Sequence, residues 1–432
     1  MNFFKESDFE KFATSSGIDK NVVGLYNGKV VRLIKEHIPD YKNVLSLCSN
    51  IKGLIKSKLY YEDAEQLIIE HEKLEYITYY IEWTKIQKVE AAVSVIQIQK
   101  NLSEHGFFLF DPHAFNITFK NTEPVYFDFG SIKKGNVKPY IWFLKSFCGG
   151  FSKDYWDSVL KINIFQKIFI VIRLLLNRAP YDYLIKKVKR YESNYFQKII
   201  NLIIRYFPKS YKLLKVLSKV TPFLNSYLTN WSDYEQKEPT IQKDNPRVNN
   251  FVEIIKKYLP ERILDIGANK GAYSKLALSL GVQKAVCADL DENSLNLLML
   301  EARTKKLPIW TVKINLMDYP EKPGCYGTYK SADLRFNSDF CICLAVVHHI
   351  CYFGNNSFEE FAEKINRFAT KILIVEFIPY DDIHLRGPYY KGKDRSWYTS
   401  NNFIAAMKKY FPKDHEIYDS SPNPRIIIKF EK

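Results

Sequence analysis

Between residues 251 and 432, five short apolar runs alternate with stretches of helical spacing, and this alternation restricts the fold more than any other feature. RILDIG, KAVCADL, PIWTVKI, DFCICLAVV and KILIVEF read as strands, with apolar residues at helical intervals between them. Such alternation predicts a doubly wound α/β sheet with helices on both faces. The tail, EIYDSSPNPRIIIKF, adds two short runs around a Ser-Ser-Pro-Asn-Pro turn and predicts a closing hairpin, for seven strands in all. Just upstream, WSDYEQKEPTIQKDNPRVNN is polar, lacks apolar periodicity and holds two prolines, so residues 231–250 read as a linker. No internal repeat is present.

The first strand runs into ILDIGANKGAYS, residues 263–274. Asp265 lies near the strand end, Gly267 and Gly271 frame a turn, and a helix starts at Ala272. Glycine permits the tight backbone, and at 271 it leaves room for a ligand beside a helix N-terminus. The next strand closes on Asp289, 24 residues after Asp265. A carboxylate there can accept both hydroxyls of a ribose. The fourth strand ends in CLAVVHHI, carrying His348 and His349, and open α/β sheets place reacting groups just beyond such strand ends. Either histidine could take a proton from an acceptor hydroxyl, or simply pack the following turn.

Glycine turn, second-strand acid and ordered βα units together resemble the class I S-adenosylmethionine methyltransferases over residues 251–432. The resemblance implies a Rossmann-like methyltransferase fold with S-adenosylmethionine as cofactor. It assigns the cofactor to Asp265, Gly267, Asn269, Gly271 and Asp289, with Asn315, Leu316 and Asp318 of the loop after the third strand near the adenine. Asn269 stands where many members have a third glycine, and asparagine tolerates the backbone angles needed there. The spacing G-A-N-K-G departs from the dinucleotide pattern G-x-G-x-x-G. The His-His-Ile ending, followed by IVEFIPYDD, resembles methyltransferases of bacterial surface-polysaccharide and nodulation-factor assembly. It is also similar to the methyltransferase part of O-antigen chain-terminating enzymes, which methylate a glycan phosphate. The implied acceptor is a cell-surface glycan, its phosphate or a lipid-linked precursor. An anionic phosphate needs no base, and Lys391, Lys393 and Arg395 would help to hold it or else face solvent.

In the first half, LFDPHAFNITFKNTEPVYFDFGSI, residues 109–132, sets out Asp111, Asn116 and the Asp128-Phe129-Gly130 triplet. This order resembles the C-terminal lobe of the kinase-like fold, which would make Asp111 a base and Asn116 and Asp128 magnesium ligands, with ATP as the nucleotide. Leu109 stands where the familiar histidine precedes the aspartate. No glycine-rich loop lies upstream, and NGKVVRLIKEH offers Lys29, Arg32 and Lys35 without marking one as the phosphate-binding lysine. About 80 residues before YYIEW are tight for a complete N-terminal lobe. The expectation is an α+β kinase-like core over residues 1–155, continued by a helical segment over 156–230. That domain either transfers phosphate or serves as a scaffold.

Charge is uneven: Lys+Arg exceed Asp+Glu by 15 over the chain. From Val159 to Pro222 there are fourteen Lys/Arg against two acids, Asp182 and Glu192, interleaved with aromatics. Such a segment suits an anionic membrane surface, an RNA backbone less readily, or a solvated helical face. Seven scattered cysteines predict reduced core thiols rather than a disulfide framework. The acidic start MNFFKESDFEKF and the absence of a long uncharged apolar run predict a cytoplasmic protein.

Overall fold

The computed structural model describes residues 4–11, 21–110, 112, 114–135, 245–323, 329–385 and 396–432. The chain divides into two compact units, Met1–Tyr227 and Leu228–Lys432. The basic run 159–222, Asp111 and the loop cations Lys391, Lys393 and Arg395 lie outside the described residues.

The first unit begins with an antiparallel sheet of β1 (Glu10–Lys11), β2 (Val22–Tyr26), β3 (Lys29–Ile34), β4 (Ser57–Glu62) and β5 (Leu67–His71), in the order β1-β2-β3-β5-β4. Helix α1 (Ile38–Cys48) connects β3 to β4. Strand alternation splits the side chains into two apolar faces. Val31, Leu33 and Ile68 pack with Phe9 and Val22. Ile34, Leu67 and Ile69 join α1 and the buried side of α2 (Lys85–Glu104) in the larger core. The region before YYIEW therefore holds five strands and a helix, despite its short length.

Thr84 caps α2: its hydroxyl accepts the Gln87 amide at 3.3 Å, and the Gln87 side chain accepts the Thr84 amide at 2.9 Å. Beyond α2 come β6 (Phe107–Leu109), the hairpin β7 (Ile117–Lys120) and β8 (Glu123–Tyr126), and β9 (Ile132–Lys134), which pairs with β6.

The second unit opens with α3 (Pro246–Tyr258), whose first five residues fall in the segment expected to be linker. The Asn245 side chain accepts the Val248 amide at 3.4 Å and Pro246 fills the first helical turn, so the polar stretch ends in a capped helix. Strands β10 (Arg262–Ile266), β11 (Lys284–Asp289), β12 (Ile309–Lys313), β13 (Ser338–Cys343) and β14 (Ala369–Phe377) form the parallel part of the sheet. Between them run α4 (Ala272–Ser279), α5 (Glu292–Lys305), α6 (Ala332–Phe336) and α7 (Phe358–Asn366), and α8 (Ser400–Lys408) follows β14. The terminal hairpin of β15 (Glu416–Asp419) and β16 (Ile426–Glu431) completes seven strands in the order β12-β11-β10-β13-β14-β16-β15. β16 enters antiparallel beside β14, so the hairpin closes a Rossmann-like sheet as the sequence predicts.

The order reverses direction at β10 and β13, and the crevice beyond the carboxyl ends of these two strands is where open α/β sheets bind ligands. Cys341 and Cys343 share one strand and are both buried. With Cys48, Cys287 and Cys351 they are free thiols, and burial raises each pKa, to about 12 for Cys48 and Cys351. Among the described residues, no helix is long and apolar enough to cross a membrane.

Candidate functional site

The glycine loop leaves β10 with φ at Gly267 of +80°, at Asn269 of +50° and at Gly271 of +67°. All three lie in the left-handed region, so asparagine supplies at 269 what glycine supplies on either side. A Cβ at Gly267 would stand 2.2 Å from Cγ2 of Val346, in the loop after β13. Glycine at 267 therefore lets two strand-end loops approach across the switch point.

Beneath the loop, Asp265 is 4% exposed and accepts the Ser274 hydroxyl at 2.6 Å, while the Cys287 thiol donates to that hydroxyl oxygen at 3.2 Å. This chain ties β10, α4 and β11 together. Asp265 thus faces inward, toward α4 and β11.

Asp289 sits at the tip of β11 and accepts two backbone amides, Asn269 N on Oδ2 at 2.7 Å and Asp291 N on Oδ1 at 2.8 Å. Burial raises its pKa, and the donated amides oppose that rise. Each carboxylate oxygen has a second lone pair, so the group retains acceptor capacity for two hydroxyls on one ligand. Leu290, the next residue, is 56% exposed and offers an apolar surface beside that carboxylate. The Ile314 amide donates to the Asp289 carbonyl at 3.1 Å, which brings the loop after β12 to the same edge. There the Asn315 side chain accepts the Met317 amide at 3.1 Å and its carbonyl accepts the Asp318 amide at 3.2 Å. Leu316 is buried and Asp318 exposed.

Strand β13 stops at Cys343, short of the histidines that the sequence places on the strand end. Ala345 takes φ +56°, which breaks the extended run, and His348 opens a π-helical turn, His348–Phe353. The two imidazole centroids are 3.8 Å apart, and His349 stacks on Phe353 at 5.5 Å with an interplanar angle of 15°. His348 is buried. Burial pushes the pKa of His349 down to about 4, so at neutral pH its ring is uncharged.

A third group stands at the carboxyl edge, one that no local motif marks. Arg247 lies in the first turn of α3 and pairs with Glu376 of β14 at 2.9 Å. Its guanidinium sits 4.8 Å over the Tyr273 ring, just after the glycine loop. The nearest cue is the Asn-Pro dipeptide at 245–246, which marks a helix start inside the polar stretch.

In the first unit, Asp128 meets Arg32 of β3, with Oδ1 and NH2 3.4 Å apart. Of the three cations in NGKVVRLIKEH, Arg32 is the one brought to Asp128, while Lys29 pairs with Glu70 at 3.1 Å. Asp40, the only acid of α1, pairs with Lys134 at 3.5 Å. Asn116 closes a short 3-10 turn, and its carbonyl accepts the Phe127 amide at 2.9 Å. Phe129 packs between Tyr41 at 6.1 Å and His71 at 5.3 Å. Asn116 and Asp128 offer the hard oxygen donors that magnesium takes. The described residues contain no group of three His, Cys, Asp or Glu arranged for a metal.

No protein-family model matches the chain. Among curated proteins it is similar to Nodulation protein NoeA of Rhizobium meliloti (strain 1021), 25% identical over 355 residues, or 74% of this chain and 72% of that protein. That length exceeds the second unit, so the similarity extends into the first. Among solved structures it is similar to the methyltransferase domain of bacterial-CtHen1-CN (15% identity, TM-score 0.33), covering 43% of this chain and 98% of that one. A SAM-dependent methyltransferase from Aquifex aeolicus (15%, TM-score 0.29) covers 42% and 89%, and monomeric WbdD (13%, TM-score 0.32) covers 46% and 43%. At these scores the structural matches add nothing to the strand order, on which the Rossmann-like fold stands.

Proposed function

We propose that the chain is an S-adenosylmethionine-dependent methyltransferase acting on an oxygen of a cell-surface glycan, a glycan phosphate or its lipid-linked precursor. The observation that carries the cofactor assignment is Asp289, a strand-end carboxylate held by two amides beside a left-handed glycine loop at the switch point. S-adenosylmethionine, when bound, supplies a sulfonium-activated methyl group. Gly267, Asn269 and Gly271 shape the backbone that holds its methionine part, Asp289 takes the ribose hydroxyls, and Leu290 with the Asn315–Asp318 turn borders the adenine.

Transfer breaks a carbon–sulfur bond and forms a carbon–oxygen bond, and a hydroxyl acceptor must also lose its proton. His349, with its pKa near 4, holds a proton weakly at pH 7. This favours an acceptor already anionic, such as a glycan phosphate, beside which the uncharged imidazole orients rather than deprotonates. The glycan class rests on the resemblance of the His-His-Ile and IVEFIPYDD segments to glycan methyltransferases, and on the similarity to a nodulation protein.

The test is transfer of labelled methyl groups into a lysate partitioned into glycolipid, RNA and protein. Label in glycolipid, lost in Asp289→Ala, supports the reading. Label in RNA points instead to an RNA methyltransferase that uses the basic segment.

A second reading adds a phosphoryl-transfer step in a kinase-like first unit. It is favoured by the antiparallel sheet with α1 after β3, and by Arg32 of β3 reaching Asp128. Magnesium-dependent ATP binding that Asp128→Ala abolishes would support it. Without such binding, the first unit is a scaffold.

A further inference from the structure

Three of the large hydrophobic side chains exposed among the described residues come from the connection between β14 and α8: Tyr380 (46%), Ile383 (72%) and Trp397 (36%). A single exposed hydrophobic residue needs no explanation. Three on one connection, at the carboxyl end of a strand, point to a surface kept open for a ligand.

Trp397 is firmly seated. Its ring packs 5.1 Å from Phe358, the first residue of α7, and 5.4 Å from Tyr398 at 89°. Tyr398 is fully buried and stacks on Phe377, the last residue of β14, at 5.1 Å. The Trp397 carbonyl accepts the Asn402 side chain at 2.9 Å and the Thr399 amide at 3.0 Å, which fixes the backbone at the start of α8. The indole is thus held from behind while part of it meets solvent.

The same rings lead to the histidines. Tyr398 meets Tyr352 at 5.2 Å, Tyr352 meets Phe353 at 6.0 Å, and Phe353 stacks on His349. This aromatic layer belongs to the β13–β14 side of the carboxyl edge, whereas Asp289 stands on β11, beyond β10. A methyl donor held at Asp289 leaves the β13–β14 side to the acceptor. Glu359, Glu360 and Asp381, next in sequence to Phe358 and Tyr380, are exposed acids, and Lys409 answers one of them, Glu359, at 3.5 Å. Acids there repel a polyanionic strand or an anionic membrane. A sugar ring instead presents polarised C–H groups, which suit the negative face of an indole.

We propose that Trp397 is a stacking subsite for a neutral sugar ring of the acceptor glycan, and that it sets acceptor affinity rather than the rate of methyl transfer. This rests on the glycan methyltransferase reading above.

The probe is the glycolipid fraction of the lysate, supplied to the full chain as a dilution series with labelled S-adenosylmethionine. Trp397→Ala is expected to raise the apparent KM for that fraction about tenfold, the scale of one lost aromatic face and the area it covers. The saturated rate and the affinity for S-adenosylhomocysteine should stay at the parent's values. Trp397→Phe, which keeps a ring, should recover much of the loss, and Trp397→Leu, apolar without a ring, little of it. If Trp397→Ala disturbs α8 and melts early, the Phe and Leu variants carry the comparison, and equal KM values for those two would overturn the proposal. A Trp397→Ala chain that labels glycolipid with the parent's KM would overturn it and leave the glycan reading standing. S-adenosylhomocysteine affinity that falls as far as KM rises would make Trp397 structural only, with the same consequence. A parent chain that labels RNA, or leaves glycolipid unlabelled, would overturn the glycan reading itself, and this proposal with it.

Discussion

Gly267→Ala is the most direct probe of how the carboxyl edge is built. Two costs act together. The residue has φ +80°, and an L side chain in the left-handed region costs about 1–2 kcal/mol. The new methyl would stand 2.2 Å from Cγ2 of Val346, an overlap that something must move to relieve, and overpacking of this kind costs about 1–3 kcal/mol. The expected loss is therefore about 2–5 kcal/mol. The steric part is separable, because Val346→Ala removes Cγ2 and leaves the next contact at an ordinary 3.5 Å, from Cβ. In a double-mutant cycle, Gly267→Ala should cost about 1–3 kcal/mol less in the Val346→Ala background. The residue of the cost is the backbone term, which no change at 346 can restore. Urea unfolding of the full chain, with hydrogen exchange followed in peptides covering β10 and β11, reads both quantities. A single variant within about 0.5 kcal/mol of the parent, or a cycle with no coupling, would refute the claim that the two loops meet at Gly267.

Three further outcomes follow from the same geometry. Asp289→Ala should weaken S-adenosylhomocysteine at least tenfold by calorimetry while leaving the melting temperature within a few degrees; undiminished binding would remove Asp289 from the site. His349 has a folded pKa near 4 against an ordinary 6.5, so below pH 6.5 the unfolded chain takes up a proton that the folded ring refuses. His349 should contribute up to about 3 kcal/mol of the stability lost as pH drops from 6.5 to 4, and His349→Gln should remove that contribution from the slope in urea titrations. Arg425 pairs bidentately with the fully buried Asp382 at 2.8 and 3.1 Å, so Arg425→Met should cost about 3–5 kcal/mol by stranding the carboxylate, and Arg425→Met/Asp382→Asn should recover much of it in the same titrations.

The parts of the second unit that were legible in advance are those encoded locally. Alternation of RILDIG with helical spacing marks a parallel sheet because each strand buried on both faces must be continuously apolar. Gly267, Asn269 and Gly271 show themselves because few residue types accept a positive φ, and all three adopt one. The end of the linker is less legible although its signal is present: Asn245 and Pro246 are a capping pair, outweighed by the polar composition around them. The histidines were placed on a strand end because CLAVV is apolar throughout, yet the strand stops at Cys343 where Ala345 takes a left-handed turn. A β-prone sequence cannot announce such a turn, since alanine carries no preference for it.

By itself, the sequence determined the order of strands in the second unit and the helices between them, the place of the glycine turn and the acid that closes the second strand. These follow from periodicity and from backbone angles, both properties of neighbouring residues. Tertiary structure alone decided which groups meet. Arg247 finds Glu376, Arg32 finds Asp128, Val346 seats against Gly267, and His349 loses affinity for its proton. Pairing across distant segments and the removal of water around a side chain depend on which elements pack together, and local spacing carries no record of that.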